Sequence, residues 1–217
     1  MELKERMRHN TKTLHSFLPE RFSESAAVID KIRQQLVKDS FAVSSIEFMF
    51  LPDYIEVYGL EHYDESVQMM EKLTTFITCE FAVRPFMNKY GNSMFSQMLK
   101  WSDHRHHQVR RLSTEGMRPR LPWALAVPVL KKDPSPVLPI LEKLKSDPSE
   151  TVRRSVANNL NDISKDHPSV VLSVIKRWKG LSPETDALIK HASRTLLKAG
   201  HSEILRFFDL HDTQTEL

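Results

Sequence analysis

The sequence predicts an all-α protein built from stacked helices. Four apolar residues in the segment 152–163 fall on one stripe at about 100° per residue, as in an amphipathic helix packed against a core. They are Val152, Val156, Leu160 and Ile163. The chain also contains 12 Pro and only 5 Gly, which favours helices separated by prolines over β-hairpins. We find no segment with the apolar–polar alternation of a strand.

An internal repeat gives the architecture. The step Val109-Arg110-Arg111 returns as Val152-Arg153-Arg154, 43 residues later, and a Ser-Asp pair precedes each copy. A weaker third copy, Ile189-Lys190-His191, follows after another 37 residues. These spacings lie in the range of HEAT-type helical repeats. We therefore expect a HEAT-like helical-repeat solenoid, a curved α-superhelix.

The first half of the chain is divided by its prolines and glycines. Leu18-Pro19 separates the first two helices, and Gly91-Asn92 marks a turn. Residues 42–60 are expected to be less regular, because Pro52 and Gly59 interrupt their apolar positions. Helices are expected at 2–17, 23–38, 64–76, 80–90 and 94–101.

In the second half, several prolines fall near predicted helix starts, and Gly180 and Gly200 stand where helix C-caps are expected. Residues 118–123 cannot form a regular helix, because Pro119 and Pro122 interrupt them. Helices are expected at 107–115, 136–145, 149–164, 168–178, 184–199 and 202–209. We expect one domain over 1–217, made of an N-terminal helical cap at 1–60, repeats at 61–210 and a tail at 211–217.

Composition narrows the class of protein. The single cysteine, Cys79, excludes an intramolecular disulfide and suits a reducing compartment. No apolar run reaches the roughly 18 residues of a membrane span. The charged start Met-Glu-Leu-Lys-Glu-Arg is expected to open a helix, not to act as a signal peptide. A cytoplasmic monomer without membrane association is the resulting expectation.

Charge is distributed unevenly along the chain. Residues 101–200 carry 18 Lys and Arg against 10 Asp and Glu, whereas the segments before and after them are net negative. All three tryptophans also lie in this basic stretch. Such a segment suits a polyanionic partner, most commonly DNA. The alternative is an ordinary solvated helical surface.

Five peptides together resemble the HEAT-like DNA alkylation-repair glycosylases, the alkylpurine DNA glycosylase superfamily that contains AlkC and AlkD, and the resemblance is closest to the AlkC branch. They span about residues 50–200. The peptides are Phe50-Leu-Pro-Asp-Tyr-Ile-Glu-Val-Tyr-Gly59, Cys79-Glu-Phe-Ala-Val-Arg-Pro-Phe86, Val109-Arg-Arg-Leu-Ser-Thr-Glu-Gly116, Arg118-Pro-Arg-Leu-Pro-Trp123 and Val152 through Pro168.

The resemblance implies a DNA glycosylase that removes cationic N3- or N7-alkylated purines, such as 3-methyladenine and 7-methylguanine, from duplex DNA, which would make it a cytoplasmic, nucleoid-associated protein. The glycosidic bond of such a base is already weak, so no acid is needed to protonate it. A carboxylate near the anomeric carbon would stabilise oxocarbenium character and orient a water. This chemistry requires no metal or organic cofactor.

Two carboxylates are the candidates for catalysis. Asp162 lies on the polar side of the 152–163 helix, and Glu80 lies one helical turn before Arg84, which is expected to keep it ionised. The resemblance implies that the two meet in one lesion pocket, while an inter-repeat salt bridge is the alternative for each. Glu115 is expected to pair with Arg118 or Arg120 and fix the loop, with a pocket role left open.

Further candidates concern the lesion pocket and the phosphates. Trp123 and Asn158 are expected at the pocket, and a buried core position is the alternative for Trp123. Of the two arginines in each Val-Arg-Arg step only one can face DNA, because they diverge by about 100°; we favour Arg154. The phosphate-contact candidates are Arg110, Arg111, Arg118, Arg120, Arg153, Arg154 and Lys165.

A metal site and two alternative functions are less favoured. His104, His106 and His107 lie in an expected turn without a Cys partner or ligand spacing, so no metal site is expected there. A non-catalytic HEAT-repeat protein that binds distorted or branched DNA is the first alternative function. A scaffold for a protein partner is the second, and it predicts negligible or salt-insensitive DNA binding.

Overall fold

A computed structural model describes residues 2–43 and 45–210, and every regular element in these ranges is helical. The expected tail at 211–217 lies outside the described residues. The first seven helices are α1 (Leu3–His15), α2 (Phe22–Lys38), α3 (Phe50–Tyr58), α4 (Tyr63–Thr74), α5 (Val83–Tyr90), α6 (Asn92–Trp101) and α7 (His107–Glu115), with a short 3₁₀ helix, Ile46–Phe48, before α3. The others are α8 (Pro128–Lys132), α9 (Leu138–Leu144), α10 (Glu150–Ile163), α11 (Pro168–Trp178), α12 (Pro183–Ala192), α13 (Arg194–Lys198) and α14 (Ser202–Phe207).

Helices α7, α10 and α12 form one layer of the stack. Helix α10 packs against both of the others, and α6, α9 and α11 pack behind the layer as the first helices of three successive pairs. The α10 stripe is buried as predicted, with Val152, Val156 and Leu160 at 0% exposure and Ile163 at 1%. The expected all-α stack of helix pairs is confirmed.

The same arginine–backbone contacts recur at the 43-residue spacing of the repeat. Val109 and Val152 are fully buried, and the arginine after each donates from Nη1 to two carbonyl oxygens, those six and five residues earlier. The acceptors are His104 and Arg105 for Arg110, and Asp147 and Pro148 for Arg153, at 2.6–3.1 Å. The first arginine of each Val-Arg-Arg step therefore closes the turn before its own helix.

Trp101 and Trp178 pack in the core as their apolar helix positions indicate, and each is 1% exposed. Each indole also keeps a partner for its N–H, as buried tryptophans require. Trp101 Nε1 donates to Glu71 at 2.7 Å, and Trp178 Nε1 donates to Glu142 at 2.8 Å. Each pair joins two different helices, α6 to α4 and α11 to α9.

Three expectations about elements were wrong. Residues 50–58 form α3, because Pro52 falls within its first turn, where a missing N–H costs no hydrogen bond. The short helix α8 begins at Pro128, in a stretch where no helix was expected. The helix expected at 184–199 divides at Ser193 into α12 and α13, and the N–H of Thr195 donates to Asn161 Oδ1 on α10.

The glycine positions agree with the sequence pattern. Gly180 and Gly200 follow α11 and α13 with φ of 81° and 67°, the left-handed conformation that commonly ends a helix. Over the residues that the structure describes, no helix is long and apolar enough to span a membrane.

Candidate active site

A cavity of about 400 Å³ opens between α1, the segment 77–81 and the loop after α7. Its wall is mostly apolar, and its polar side chains are two carboxylates, two cations and the hydroxyl of Thr78. The apolar lining residues are Leu3, Met7, Ile46, Met49, Ile77, Phe81, Leu121, Pro122 and Trp123; the charged ones are Lys4, Glu80, Glu115 and Arg118. The sequence-predicted residues Glu80, Glu115, Arg118 and Trp123 thus share one cavity.

Trp123 stands at the cavity with 75% of its surface exposed, so it does not take the core position that was the alternative. Its φ of 61° is unusual for a residue with a side chain, and it follows Pro122 in the non-helical loop that the prolines predicted. The ammonium group of Lys4 donates to the Trp123 carbonyl and lies 5.1 Å from the centre of the Phe81 ring. Helix α1 and the loop therefore meet across the cavity.

Arg84 holds this loop in place by hydrogen bonds to its backbone. Its side chain is 1% exposed, and it donates to the carbonyl oxygens of Gly116 (2.8 Å), Arg118 (2.9 Å) and Leu125. Burial, together with the nearby charge of Arg118, lowers the pKa of Arg84 to about 10. The expectation that Arg84 keeps Glu80 ionised was wrong, because its donors are directed at these carbonyls.

Arg111 is the cation beside Glu80. Glu80 Oε2 accepts from Arg111 Nη1 at 2.9 Å and from Thr78 Oγ1 at 3.0 Å. Both donors bind the same oxygen, and Oε1 has no hydrogen bond to any residue in the described ranges. The side chain is 16% exposed. Glu80 thus presents a carboxylate oxygen at the cavity wall.

Glu115 is held more tightly. Its Oε1 accepts from Arg118 at 2.7 Å, its Oε2 accepts from Ser155 at 2.5 Å, and Arg111 lies 3.8 Å from Oε2. The pairing with an arginine of the loop, expected from the sequence, is confirmed. Glu115 therefore connects α7 to α10 and to the loop.

Asp162 lies behind Arg118, not on the cavity wall. It is 2% exposed, its Oδ2 accepts from Arg118 Nε at 2.8 Å, and its Oδ1 lies 3.3 Å from Lys165 Nζ. Burial acts to lower the pKa of Arg118, but the hydrogen bonds and charges of Asp162 and Glu115 outweigh it and raise that pKa. Arg118 therefore stays charged in a nearly dry position.

These ion pairs form a chain of three carboxylates and three cations, which we call the carboxylate network. Its members, in order, are Glu80, Arg111, Glu115, Arg118, Asp162 and Lys165. The two expected catalytic carboxylates belong to this one network, at opposite ends of it. Glu80 lines the cavity, whereas Asp162 is connected to the cavity only by its ion pair with Arg118.

Other phosphate-contact candidates have partners within the protein. Arg110 binds Asp147 through two hydrogen bonds of 2.6 and 3.0 Å in addition to its turn carbonyls, and Arg153 binds its own turn. We therefore assign these two arginines to the turns instead of DNA. Arg120 pairs with Asp166 at 2.8 Å but keeps 36% of its side chain exposed.

Asn158, which was expected at the lesion pocket, does not line this cavity. Its Oδ1 accepts from His191 Nε2 at 3.0 Å and from Arg194 Nη2 at 3.1 Å, away from the cavity lining. Arg154, one turn earlier on α10, is exposed and forms no ion pair or hydrogen bond through its side chain within the described part of the chain. The sequence reasoning did not propose His191 or Arg194, although the third repeat aligns His191 with Arg154.

Asn159 and His106 both bind backbone groups of α7. Asn159 Nδ2 donates to the Thr114 carbonyl at 2.7 Å, so it satisfies a backbone group between repeats. His106 accepts from the N–H of Gln108 at 3.3 Å and caps α7. Among the described residues, no group of three or more His, Cys, Asp or Glu side chains is placed to hold a metal ion.

A family model described as DNA alkylation repair enzyme matches residues 52–200. The chain belongs to this family. The match covers every member of the carboxylate network, together with Trp123, Asn158, His191 and Arg194.

Known members of similar sequence or structure fit this assignment. An uncharacterised Bacillus subtilis protein, YhaZ, is 49% identical over 208 residues, which is 96% of this chain and 56% of that protein. The alkylpurine DNA glycosylase AlkC from Pseudomonas fluorescens, solved with DNA containing an abasic-site analogue, matches with a TM-score of 0.88 and 35% identity, over 96% of this chain and 56% of AlkC. The chain thus spans about half the length of both proteins.

A more distant structure shares the fold. AlkD2 from Streptococcus mutans matches with a TM-score of 0.59 and 23% identity, over 88% of this chain and 98% of AlkD2. Together with AlkC, it confirms the predicted HEAT-like architecture of this family member.

Proposed function

We propose that this chain is a monofunctional DNA glycosylase that hydrolyses the N-glycosidic bond of cationic N3- and N7-alkylpurines in duplex DNA. The observation that carries the proposal is the cavity, which combines an exposed indole and an apolar wall with a carboxylate oxygen that lacks a hydrogen bond among the described residues. Membership of the DNA alkylation repair enzyme family supports it, as does the likeness to AlkC.

The chemistry assigns Glu80 to the reaction centre. An N3- or N7-alkylpurine leaves as a neutral base, so the sugar, not the base, needs help in the transition state. A carboxylate at the sugar stabilises its positive charge and orients the attacking water. The free Oε1 of Glu80 at the cavity wall supports this role, while Arg111 and Thr78 hold Oε2.

Trp123 is the aromatic group proposed to recognise the damaged base. An indole face attracts a cation with about 0.5–2 kcal/mol, and this attraction distinguishes an alkylated purine from a neutral one. The exposed position of Trp123 leaves its ring available for contact. Glu115, on the same wall, is paired with Arg118 and fixes the loop that carries Trp123.

Asp162 is the second proposed catalytic carboxylate. In the free protein its oxygens are paired with Arg118 and Lys165. Lys165 is 36% exposed and is attracted by DNA phosphates, so DNA binding draws it away from Asp162 and leaves Arg118 as the remaining partner of that carboxylate. Arg118, fixed between Asp162 and Glu115, orients both carboxylates.

Duplex DNA is the partner that this activity requires, and the activity places the protein at the chromosome. Exposed cations supply the phosphate contacts; they are Arg154, Arg120 and Lys165. The chemistry operates in a monomer without a metal or an organic cofactor.

The experiment is direct. Wild-type protein is incubated with methylated duplex DNA, and free 3-methyladenine and 7-methylguanine are quantified against the spontaneous rate. Release of either base above that rate supports the proposal. Protein that binds the DNA and releases neither is a non-catalytic DNA-binding relative, and the proposal fails.

A further inference from the structure

We infer that Arg154, His191 and Arg194, arranged around Asn158, form a binding site for the phosphodiester backbone of DNA. We call these four residues the Asn158 cluster. The inference rests on the proposed function, because it extends the DNA surface of the candidate enzyme beyond its cavity. It assigns to DNA two residues, His191 and Arg194, that have no role in the carboxylate network.

Asn158 gives the cluster a fixed geometry. Its single Oδ1 accepts from both His191 Nε2 (3.0 Å) and Arg194 Nη2 (3.1 Å), and Arg194 Nη1 also donates to the His191 carbonyl at 2.8 Å. Arg154 stands one helical turn away on α10 and borders a groove of about 360 Å³ that His191 also lines. The donors are therefore held in place before any ligand arrives, which reduces the entropy lost on binding.

The cations of the cluster have no direct carboxylate partner among the described residues, although Glu150 and Glu184 also line the groove that Arg154 and His191 border. Within the described residues, neither Arg154, His191 nor Arg194 forms an ion pair with a carboxylate, whereas the arginines of the carboxylate network and of the turns do. Burial, and then the charge of neighbouring arginines, lowers the pKa of His191; burial and the charges of Arg118 and Arg154 lower the pKa of Arg194 despite the opposing effect of Asp162. An anion bound here relieves this repulsion.

The position on α10 suits the strand that carries the lesion. Arg154, Asn158 and Asp162 follow one another at intervals of four residues, so they share one side of the helix over roughly 12 Å. One DNA strand carries a phosphate about every 3.4 Å along its axis. A strand that runs along this side of α10 between Asp162 and Arg154 therefore presents several phosphates over that length.

The sequence repeat accounts for the positions of Arg154 and His191 in the cluster. Arg111, Arg154 and His191 occupy equivalent positions in the three sequence repeats, on α7, α10 and α12 of one layer. Arg111, the first of the three, forms an ion pair with Glu80. The other two have no carboxylate partner among the described residues, and they continue the same line away from the cavity.

The test measures affinity for a duplex containing an abasic-site analogue, as a function of salt concentration. Each lost phosphate contact reduces the slope of log K against log salt by about 0.9. We expect this reduction, with about tenfold weaker binding, for Arg154→Gln and for Arg194→Gln. Arg177→Gln is the matched control, because Arg177 is 59% exposed on α11, behind the layer, and its loss should leave the slope unchanged.

Asn158→Asp separates a binding defect from misfolding. The new carboxylate would pair with Arg194 and His191 inside the protein, so the melting temperature should not fall while the salt slope drops by one to two contacts. Unchanged slopes in Arg154→Gln, Arg194→Gln and Asn158→Asp would overturn the inference. So would a melting temperature raised by inorganic phosphate in wild type only, with unchanged DNA slopes, because the site would then belong to a free anion.

The two proposals fail independently. If wild type releases no alkylated base but the cluster variants lose salt-dependent affinity, the glycosylase proposal is wrong and the phosphodiester site remains. If wild type releases base and the cluster variants bind DNA normally, the site is wrong and the enzymatic proposal remains.

Discussion

Arg118 Nε lies 2.8 Å from Asp162 Oδ2, and this ion pair connects a buried carboxylate of α10 to the wall of the cavity. The same guanidinium binds Glu115 at 2.7 Å, so one side chain fixes two carboxylates from different helices. Because Asp162 is 2% exposed, removing its charge should affect both stability and the shape of the site.

We expect Asp162→Asn to lower the free energy of unfolding by about 3 kcal/mol, since breaking one partner of a buried ion pair leaves an uncompensated charge. Release of alkylated base should fall sharply as well. Asp166→Asn is the control, because its partner Arg120 is exposed and such a pair contributes about 1 kcal/mol or less. Urea unfolding of both variants makes the comparison, and equal losses would contradict the account.

Trp123→Ala tests the aromatic contact with the damaged base. We expect the concentration of lesion DNA needed for half-maximal binding to rise about 3- to 30-fold, which corresponds to a cation–π attraction of about 0.5–2 kcal/mol. Stability should hold, since the indole is 75% exposed. Trp123→Phe should recover part of the affinity. A loss of equal size on undamaged duplex would argue against recognition of the base.

Arg84→Met tests how the loop is positioned. The variant leaves the carbonyls of Gly116, Arg118 and Leu125 without their donor, at a cost of about 1–3 kcal/mol for each buried group that stays unsatisfied. We expect a lower melting temperature and a loop that proteases cleave faster. Asn88→Ala is the control, because its side chain binds Ala126 from an exposed position. Unchanged proteolysis of Arg84→Met would show that the loop is held by other contacts.

His191 should make DNA binding depend on pH. Burial, Arg194 and Arg154 lower its pKa below the ordinary value, so in the free protein it is neutral at pH 7, and its contribution to stability is complete above about 6.5 and lost as pH falls. A phosphate beside it raises that pKa. Affinity for DNA should therefore increase between pH 7.5 and 6 in wild type, and His191→Asn should remove that part of the increase. Identical pH profiles of wild type and variant would contradict this.

Features that depend on interactions within one segment could be predicted from the sequence better than features that depend on contacts between distant segments. The α10 stripe and the Val-Arg-Arg register follow from helical periodicity within one segment, and both were predicted. The length of α3 was missed because Pro52 was taken as a break, when its position in the first turn makes it harmless.

The site was predicted in part. Glu80, Glu115 and Trp123 meet at one cavity, and Glu115 pairs with Arg118 as expected, but Asp162, which the resemblance implied would meet Glu80 there, lies behind Arg118. The partner of Glu80 is Arg111 from α7, not Arg84, because α5 begins only at Val83 and Arg84 donates to loop carbonyls more than 30 residues away in sequence. Asn158 binds Arg194 instead of lining the cavity, because the helix break at Ser193 brings Arg194 beside α10. Such long-range docking leaves no local pattern.

The central claim is that Glu80 assists the loss of a cationic base, and one measurement tests it most directly. Single-turnover release of 3-methyladenine and 7-methylguanine from methylated duplex is compared for wild type, Glu80→Gln and the exposed control Glu203→Gln on α14. We predict release by wild type and Glu203→Gln well above the spontaneous rate, and release about 100-fold slower or more for Glu80→Gln with an unchanged free energy of unfolding. Equal rates for Glu80→Gln and wild type would contradict the account.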